Sequence, residues 1–286
     1  MQRLVLAAVV LVTLAGGAAR ADSDAAEVVA KKMLDVQVAA LRMHDVRTLI
    51  TTFGDEGFLI GPSDVAGPNH SYLFTGAIAA ILSRPSVGVL ADVTVTSYHA
   101  GGNGDDLVWL AAELVASYQG EDRSVRSVPL RVSESLFKTK EAWRVSMAHV
   151  AVPTTDLSPR AMPLMQLNEY NDPGLDYLRR DLTSAIRLDR LLATGAPIVL
   201  GTEPREQAYG EAAGHELLRQ WRNLAMSITG RPRENAAGEG AEWVVANIDL
   251  KRAGSGVPAR MRASFVLEPQ HNTTAFVLVH FSVAAD

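Results

Sequence analysis

The 286-residue sequence contains no cysteine, and this absence excludes several kinds of chemistry. Disulfide bonds, thiol catalysis, thiolate metal sites and a lipid-modified N-terminal cysteine all require a residue that the chain lacks. The seven histidines are scattered, with no His-x-x-x-His pair and no carboxylate cluster at ligand spacing. We therefore expect no bound metal and no other cofactor. Without disulfides the fold must rest on apolar cores, and hydrophobic residues make up 48% of the chain.

Concentrated positive charge is missing as well. The 27 Lys and Arg residues are outnumbered by 32 Asp and Glu residues, the net charge is −5, and no basic stripe occurs. A nucleic-acid partner is therefore not expected. The glycine-rich run over 101–104 lacks the lysine and hydroxyl residue of a phosphate-binding loop, and there is no Gly-x-Ser-x-Gly nucleophile motif. No motif in the chain identifies a reaction.

Long apolar runs are absent except near the N-terminus. Arg3 provides a positive start, residues 4–15 an apolar stretch, and Ala19-Arg20-Ala21 a small-residue cleavage site. No later stretch reaches the roughly 18 uninterrupted apolar residues of a membrane helix. We therefore expect a signal peptide over residues 1–21 and a periplasmic or secreted mature protein without stable membrane insertion. An uncleaved N-terminal anchor is the alternative.

The chain contains an internal repeat. Four residues recur in the same order in the second half, as the pairs Gly76 and Gly210, Trp109 and Trp243, Arg131 and Arg260, and His149 and His280. The spacing changes by only a few residues from pair to pair, as changes in loop length produce in a duplicated domain. We therefore predict two superimposable domains over 22–152 and 175–286, joined by a proline-rich linker over 153–174.

Hydrophobic periodicity predicts the same order of elements in each half. For the first half we predict helices over 25–43, 45–53 and 72–82 and strands over 58–60, 89–98, 107–118, 128–138 and 142–152. For the second half we predict helices over 175–192 and 203–224, strands over 198–201, 243–251, 259–268 and 275–284, and an exposed loop over 229–240. Helices followed by a run of antiparallel strands indicate an α+β fold.

Several motifs fit this plan closely enough to suggest a family. They are residues 108–113, 131–134, 143–145 and His149 in the first half, and residues 201–204, Glu206, Trp221, 242–246 and 279–282 in the second. Together they resemble the NTF2-like superfamily, most closely its SnoaL-like and calcium/calmodulin-kinase association-type branches. The polar turn over 270–274 departs from the family's pattern.

The resemblance implies a fold and a range of activities. It implies two tandem cone-shaped NTF2-like domains, each with N-terminal helices packed on a curved antiparallel sheet and a pocket between sheet and helices. Some members of the superfamily are isomerases, dehydratases or cyclases, and many others only bind or assemble.

Two carboxylates are candidates for chemistry in such a pocket. Glu113 shares a strand face with Trp109, and Asp249 shares one with Trp243, because strand side chains alternate. If that face is concave, Glu113 or Asp249 would be a proton-transfer group whose pKa is raised by desolvation. If it is not, both are carboxylates at a rim or facing solvent.

Histidine, arginine and aromatic residues complete the candidates. His149 and His280 end equivalent strands, where they would either shuttle protons or hold the strand ends. Arg131 and Arg260 would either bind an anionic ligand or pair with a carboxylate across the sheet. The remaining candidates for a pocket wall are Tyr72, Trp143, Tyr209 and Trp221. For Tyr72, Tyr209 and Trp221 we expect first a place in the core of the small helices.

Three functions are consistent with these observations. The first is an exported, non-catalytic protein that binds a small apolar or amphipathic molecule, and it is the function we expect because no convergent acid–base set is evident. The second is a SnoaL-like lyase or isomerase that uses a pocket carboxylate with His or Tyr. The third is an assembly module whose outer sheet faces pack together, which would also allow a homodimer. The lining of each cone distinguishes them.

We predict cleavage of the exported chain after Ala21. N-terminal sequencing of the mature protein should begin at Asp22, because the small-residue site ends there. Mature protein that begins at Met1 would contradict the signal peptide.

Overall fold

The computed structural model describes residues 25–63, 65–103, 105–156, 185–221, 224–237, 240–252, 259–270 and 273–283. The predicted signal peptide lies outside these residues, as do most of the predicted linker and the start of the helix predicted over 175–192. Among the helices that are described, none combines the length and the apolar character needed to cross a membrane.

The first half places three helices against a seven-stranded sheet. The helices are α1 (residues 25–42), α2 (Val46–Thr52) and α3 (Tyr72–Leu82). The strands are β1 (Phe53–Ile60), β2 (Ala66–Pro68), β3 (Ser83–Arg84), β4 (Gly88–Gly102), β5 (Leu107–Gln119), β6 (Val125–Lys138) and β7 (Trp143–Ala151). Their order in the sheet is β2-β1-β7-β6-β5-β4-β3. Neighbouring strands are antiparallel except β1 and β7, which are parallel.

The second half repeats this arrangement. Its helices are α4 (Ala185–Arg190) and α5 (Glu211–Gln220). Its strands are β8 (Ile198–Leu200), β9 (Gln207–Tyr209), β10 (Leu224–Ala236), β11 (Glu242–Arg252), β12 (Ala259–Gln270) and β13 (Thr273–Ser282). The sheet order β9-β8-β13-β12-β11-β10 matches the first sheet without β3, and β8 and β13 form the parallel pair. The predicted α+β fold, with helices on two curved and mostly antiparallel sheets, is confirmed.

Two elements of the second half differ from the prediction. The helix predicted over 203–224 starts only at Glu211, after strand β9 and after Gly210, whose φ of +86° suits glycine at the turn. The loop predicted over 229–240 is mostly strand β10. This strand lies at the edge of its sheet, and edge strands commonly carry the charged residues that resemble a loop in sequence.

Apolar side chains form three clusters. One lies between α1–α3 and the first sheet, and a second between α4, α5 and the second sheet. The third lies between the two sheets and contains Trp109 and Trp243, which are 4% and 0% exposed. We call the surface between the sheets the interdomain interface. The Trp109 indole donates a 2.9 Å hydrogen bond to the Ala196 carbonyl, and the Trp243 ring centroid lies 5.3 Å from that of Phe58.

Strand register corrects two of the pairs in the predicted repeat. Arg131 lies opposite Glu113, which follows Trp109 by four residues. Arg262 lies opposite Asn247, which follows Trp243 by four residues. The counterpart of Arg131 is therefore Arg262 and not Arg260. Gly76 and Gly210 are not counterparts either, because Gly76 lies inside α3 whereas Gly210 precedes α5.

The two buried arginines connect the halves reciprocally. Arg131 Nη1 donates to the Gly201 carbonyl at 2.9 Å, and Arg262 Nη1 donates to the Ser63 carbonyl at 3.0 Å. Arg131 also forms a 2.6 Å ion pair with Glu113. Its guanidinium donates further bonds to the carbonyls of Glu203, Pro204 and Glu206. Arg131, a side chain of the first sheet, thus donates hydrogen bonds to four carbonyl groups in one turn of the second half.

We predict that Arg131→Met destabilises the protein by about 3–5 kcal/mol, because it leaves the Glu113 carboxylate and several carbonyls without their buried partner. The matched control is Arg260→Met, which removes the partly exposed partner of Asp249 and should cost at most about 1 kcal/mol. Urea denaturation of both variants measures the difference. Equal destabilisation by the two substitutions would contradict the role of Arg131 at the interface.

Candidate functional site

The first half contains a cavity of about 70 Å³ between its helices and its sheet, and we call this space the first cone. Residues from α1, α2, α3 and four strands contribute to its wall. Apolar side chains form most of the lining, namely Leu34, Val38, Leu41, Leu49, Phe53, Leu59, Ile78, Ile81, Leu114, Val132, Ala148 and Val150. The two polar residues in the lining are Gln37 and Glu134.

Glu134 is the chemically distinctive residue of the first cone. Its side chain is buried, and Oε1 accepts a 2.9 Å hydrogen bond from Gln37 Nε2. Oε2 is also buried and has no hydrogen-bond partner among the described residues. Burial raises the pKa of Glu134 to about 7, although the Gln37 hydrogen bond acts in the opposite direction. At neutral pH this carboxyl group therefore exists in both protonation states.

Strand geometry places Glu134 in the cone. Side chains of β6 alternate between the two faces of the sheet, so Val132 and Glu134 point to the helices while Ser133 and Ser135 point to the second half. Gln37 lies one helical turn after Met33 on the buried side of α1, which brings its amide to the carboxylate.

In the described part of the second half, aromatic side chains cluster on the side of the sheet that faces the helices. Phe265 takes the place of Glu134, since both lie opposite the residue that follows the interface tryptophan. The Phe265 ring centroid lies 5.4 Å from that of Phe276 and 5.9 Å from that of Phe281. Phe281 in turn contacts Trp221 edge-on at 5.4 Å. Only the first half thus has a polar group at this position of its cone.

The strand face proposed for the pocket is not the concave one. Trp109, Glu113, Arg131 and Trp243 point away from the cones and into the interdomain interface or its edge. Of the two alternatives for Glu113, the geometry fits the carboxylate at a rim, because Glu113 pairs with Arg131 at the edge of the interdomain interface. Asp249 shares its strand face with Trp243 and forms a 3.1 Å ion pair with the partly exposed Arg260.

His149 and His280 meet at the centre of the interdomain interface. Their rings stack with centroids 4.1 Å apart, and both side chains are fully buried. Ser133 Oγ lies 2.8 Å from His280 Nδ1, and Ser264 Oγ lies 2.9 Å from His149 Nδ1. Burial lowers the pKa of His149 to about 3 and that of His280 well below its ordinary value, with nearby positive charge acting in the same direction. Both imidazoles are therefore neutral structural groups rather than proton shuttles of the cone.

The remaining candidates also lie outside the first cone. Tyr72 is 83% exposed, so it is neither a core residue nor a pocket wall. Tyr209 stacks on His99 with ring centroids 3.6 Å apart, and burial raises its pKa to about 12. Trp221 belongs to the aromatic core of the second half, and Trp143 borders a groove on the surface.

Glu134 and Gln37 were detectable in the sequence but were not singled out as site residues. Glu134 alternates in phase with Val132 and Leu136, so an acid on the apolar face of a strand was the available signal. Gln37 follows Met33 by four residues and interrupts the apolar side of α1. In the described part of the chain, no three His, Asp or Glu residues come together as a metal site would require.

No protein-family model and no curated protein matches the sequence. Several solved structures are similar to part of it. An NTF2-like protein of unknown function in nutrient uptake from Rhodospirillum rubrum is 17% identical over 43% of this chain and 96% of its own, with a TM-score of 0.34. A ketosteroid isomerase-like protein from Erwinia carotovora is 16% identical over 44% and 95%, with a TM-score of 0.36. A protein of unknown function with a cystatin-like fold from Nostoc punctiforme is 15% identical over 45% and 92%, also with a TM-score of 0.36.

We predict that Glu134→Gln stabilises the protein above neutral pH. Because the pKa of Glu134 is raised on folding, its contribution to stability is fully present below its unfolded value of about 4.5 and is lost as pH rises through about 7. The loss is on the order of 3 kcal/mol, and the neutral amide should avoid it.

Denaturation of wild type and Glu134→Gln between pH 4 and pH 8 measures this effect. The two stabilities should converge at low pH and separate as pH rises, with the variant the more stable. Glu121→Gln at an exposed turn is the matched control and should follow the wild type. A Glu134→Gln curve parallel to that of the wild type would show that the carboxyl group is not desolvated.

Proposed function

We propose that the first half is a binding domain for a small, largely apolar molecule with one hydrogen-bond donor. The observation that carries this proposal is the buried Oε2 of Glu134, which has no partner in the described structure and belongs to a residue that lines a mostly apolar cavity. A buried acceptor without a partner costs about 1–3 kcal/mol, and a ligand donor would recover that free energy. Non-catalytic binding is favoured over catalysis because, among the described residues, Gln37 is the only other polar side chain in the lining.

The size of the first cone limits the ligand. A water molecule takes about 30 Å³ in the liquid, and an apolar cavity of about 150 Å³ accommodates benzene. The 70 Å³ of the first cone therefore suits a molecule of a few non-hydrogen atoms, such as a short alcohol. Larger ligands would require the helices to move away from the sheet.

We predict that 2-propanol binds in the first cone and that Glu134→Leu weakens this binding about 10- to 100-fold, since a hydrogen bond to a charged group contributes about 1.5–3 kcal/mol. Amide chemical shifts of the lining residues during a 2-propanol titration measure the affinity. Xenon, which has no donor, is the control ligand and should bind Glu134→Leu at least as tightly as wild type. Equal 2-propanol affinity in the two proteins would contradict Glu134 as the acceptor.

Proton transfer by Glu134 is a second candidate function, and the observation that favours it is the pKa of about 7. A general acid–base group works best when its pKa lies near the working pH. Loss of deuterium from acetone-d6 tests this candidate, because exchange requires a base that removes a proton beside a carbonyl. Exchange by wild type above the rate of Glu134→Gln would support it, and equal rates would exclude it for this substrate.

The second half would then serve assembly rather than binding. Among its described residues aromatic rings cluster on the helix-facing side of the sheet, and the other side of that sheet covers the outer face of the first sheet. The sheet faces that would form a homodimer are thus buried within one chain. We also propose that the protein acts in the periplasm or outside the cell, on the support of the signal-like composition of residues 1–21.

A further inference from the structure

A groove of about 340 Å³ lies on the surface of the first half, outside the first cone. It runs where α1 and α2 meet the start of β7. The groove is bordered by Val29, Lys32, Met33, Val36, Thr51, Thr52, Trp143 and Arg144. Its volume lies within the roughly 300–1,000 Å³ that is typical of small-molecule sites.

The charges of the groove are of one sign. Lys32 and Arg144 border it, and no carboxylate does. In the described part of the chain neither cation forms an ion pair, and the hydrogen bond from Arg144 Nη1 to the Trp143 carbonyl is long, at 3.5 Å. Other cations of α1 do have acidic partners, since Lys31 contacts Asp35 at 2.6 Å and Arg42 contacts Asp92 at 2.7 Å. The groove thus presents two cations that form no ion pair among the described residues, and Arg144 also borders a second surface space whose lining includes Asp55, Glu56 and Glu141.

The remaining border is apolar or weakly polar. Val36 is 46% exposed although it lies on the same helix as the buried Met33, and Trp143 is half-buried beside it. Exposed aliphatic and aromatic surface next to unpaired cations is favourable for a ligand that has both an apolar part and a negative charge, because each part gains a matching partner.

We propose that this groove binds an amphipathic monoanion, specifically a free medium-chain carboxylate. The carboxylate head lies between Lys32 and Arg144, and the apolar tail lies along Val29, Val36 and Trp143. A single tail fits the groove, whereas a membrane surface would be expected to contact a broader cationic face. The site is separate from the first cone, so it is independent of the function proposed for Glu134.

Isothermal titration calorimetry of the full mature chain with decanoate, below its micelle concentration, tests the proposal. We expect saturable binding that weakens at least tenfold in Lys32→Gln and in Arg144→Gln. The matched control is Lys31→Gln, which alters the neighbouring residue of the same helix but not the groove, and its affinity should equal that of wild type. Binding should also weaken as salt is raised, because the cations are at the surface.

Ligand controls separate this site from the alternatives. Decanol should bind at least tenfold more weakly than decanoate, and decyltrimethylammonium should not bind. Equal affinity for decanol, or unchanged decanoate affinity in Lys32→Gln and Arg144→Gln, would overturn the proposal. Loss of decanoate binding in Glu134→Leu would place the ligand in the first cone and would overturn it too, as would binding to anionic vesicles without binding to free decanoate.

Discussion

The alternation of side chains along β6 and β7 is the constraint on which the rest of the structure depends. Each strand has one face toward the helices and one toward the other half, so neighbouring residues have different environments. Glu134 lies in the first cone, whereas Ser133 next to it contacts His280 of the second half. Ala148 lines the cone, whereas His149 stacks on His280. The sheet therefore lines a cavity on one side while the second half covers its other side.

The two halves share the order of their strands but not the chemistry of the residues that face their helices. Counterparts at the interface make reciprocal contacts, as the two serine–histidine contacts show, whereas Phe265 takes the place of Glu134. The reciprocity is also incomplete at one atom. His149 Nε2 lies 2.7 Å from Ser282 Oγ, but His280 Nε2 has no partner among the described residues, because the counterpart of Ser282 is Ala151. The two halves therefore contribute differently to one chain.

Most of the fold was predictable from the sequence, because the long strands β5, β6, β11 and β12 carry strong apolar patterns. Strand β10 was not, since its polar composition reflects its position at an edge. The candidate site was mostly missed for a different reason. Periodicity shows that Trp109 and Glu113 share a strand face. It does not show whether that face contacts helices or a second sheet, because that depends on how the two halves pack. The position of Glu134 was informative, because an acidic residue among the apolar residues of a buried strand face is costly unless it has a partner or a function.

The central claim is that the two sheets close on each other and exclude water from the histidine pair. Titration of the imidazole nitrogens by ¹⁵N NMR tests it directly, with His149→Gln and His280→Gln used to assign the two rings. Because burial lowers both pKa values, with that of His149 at about 3, we predict that both rings stay neutral from pH 8 down to pH 5. A protonation midpoint between pH 6 and pH 7 for either ring would contradict a closed interface.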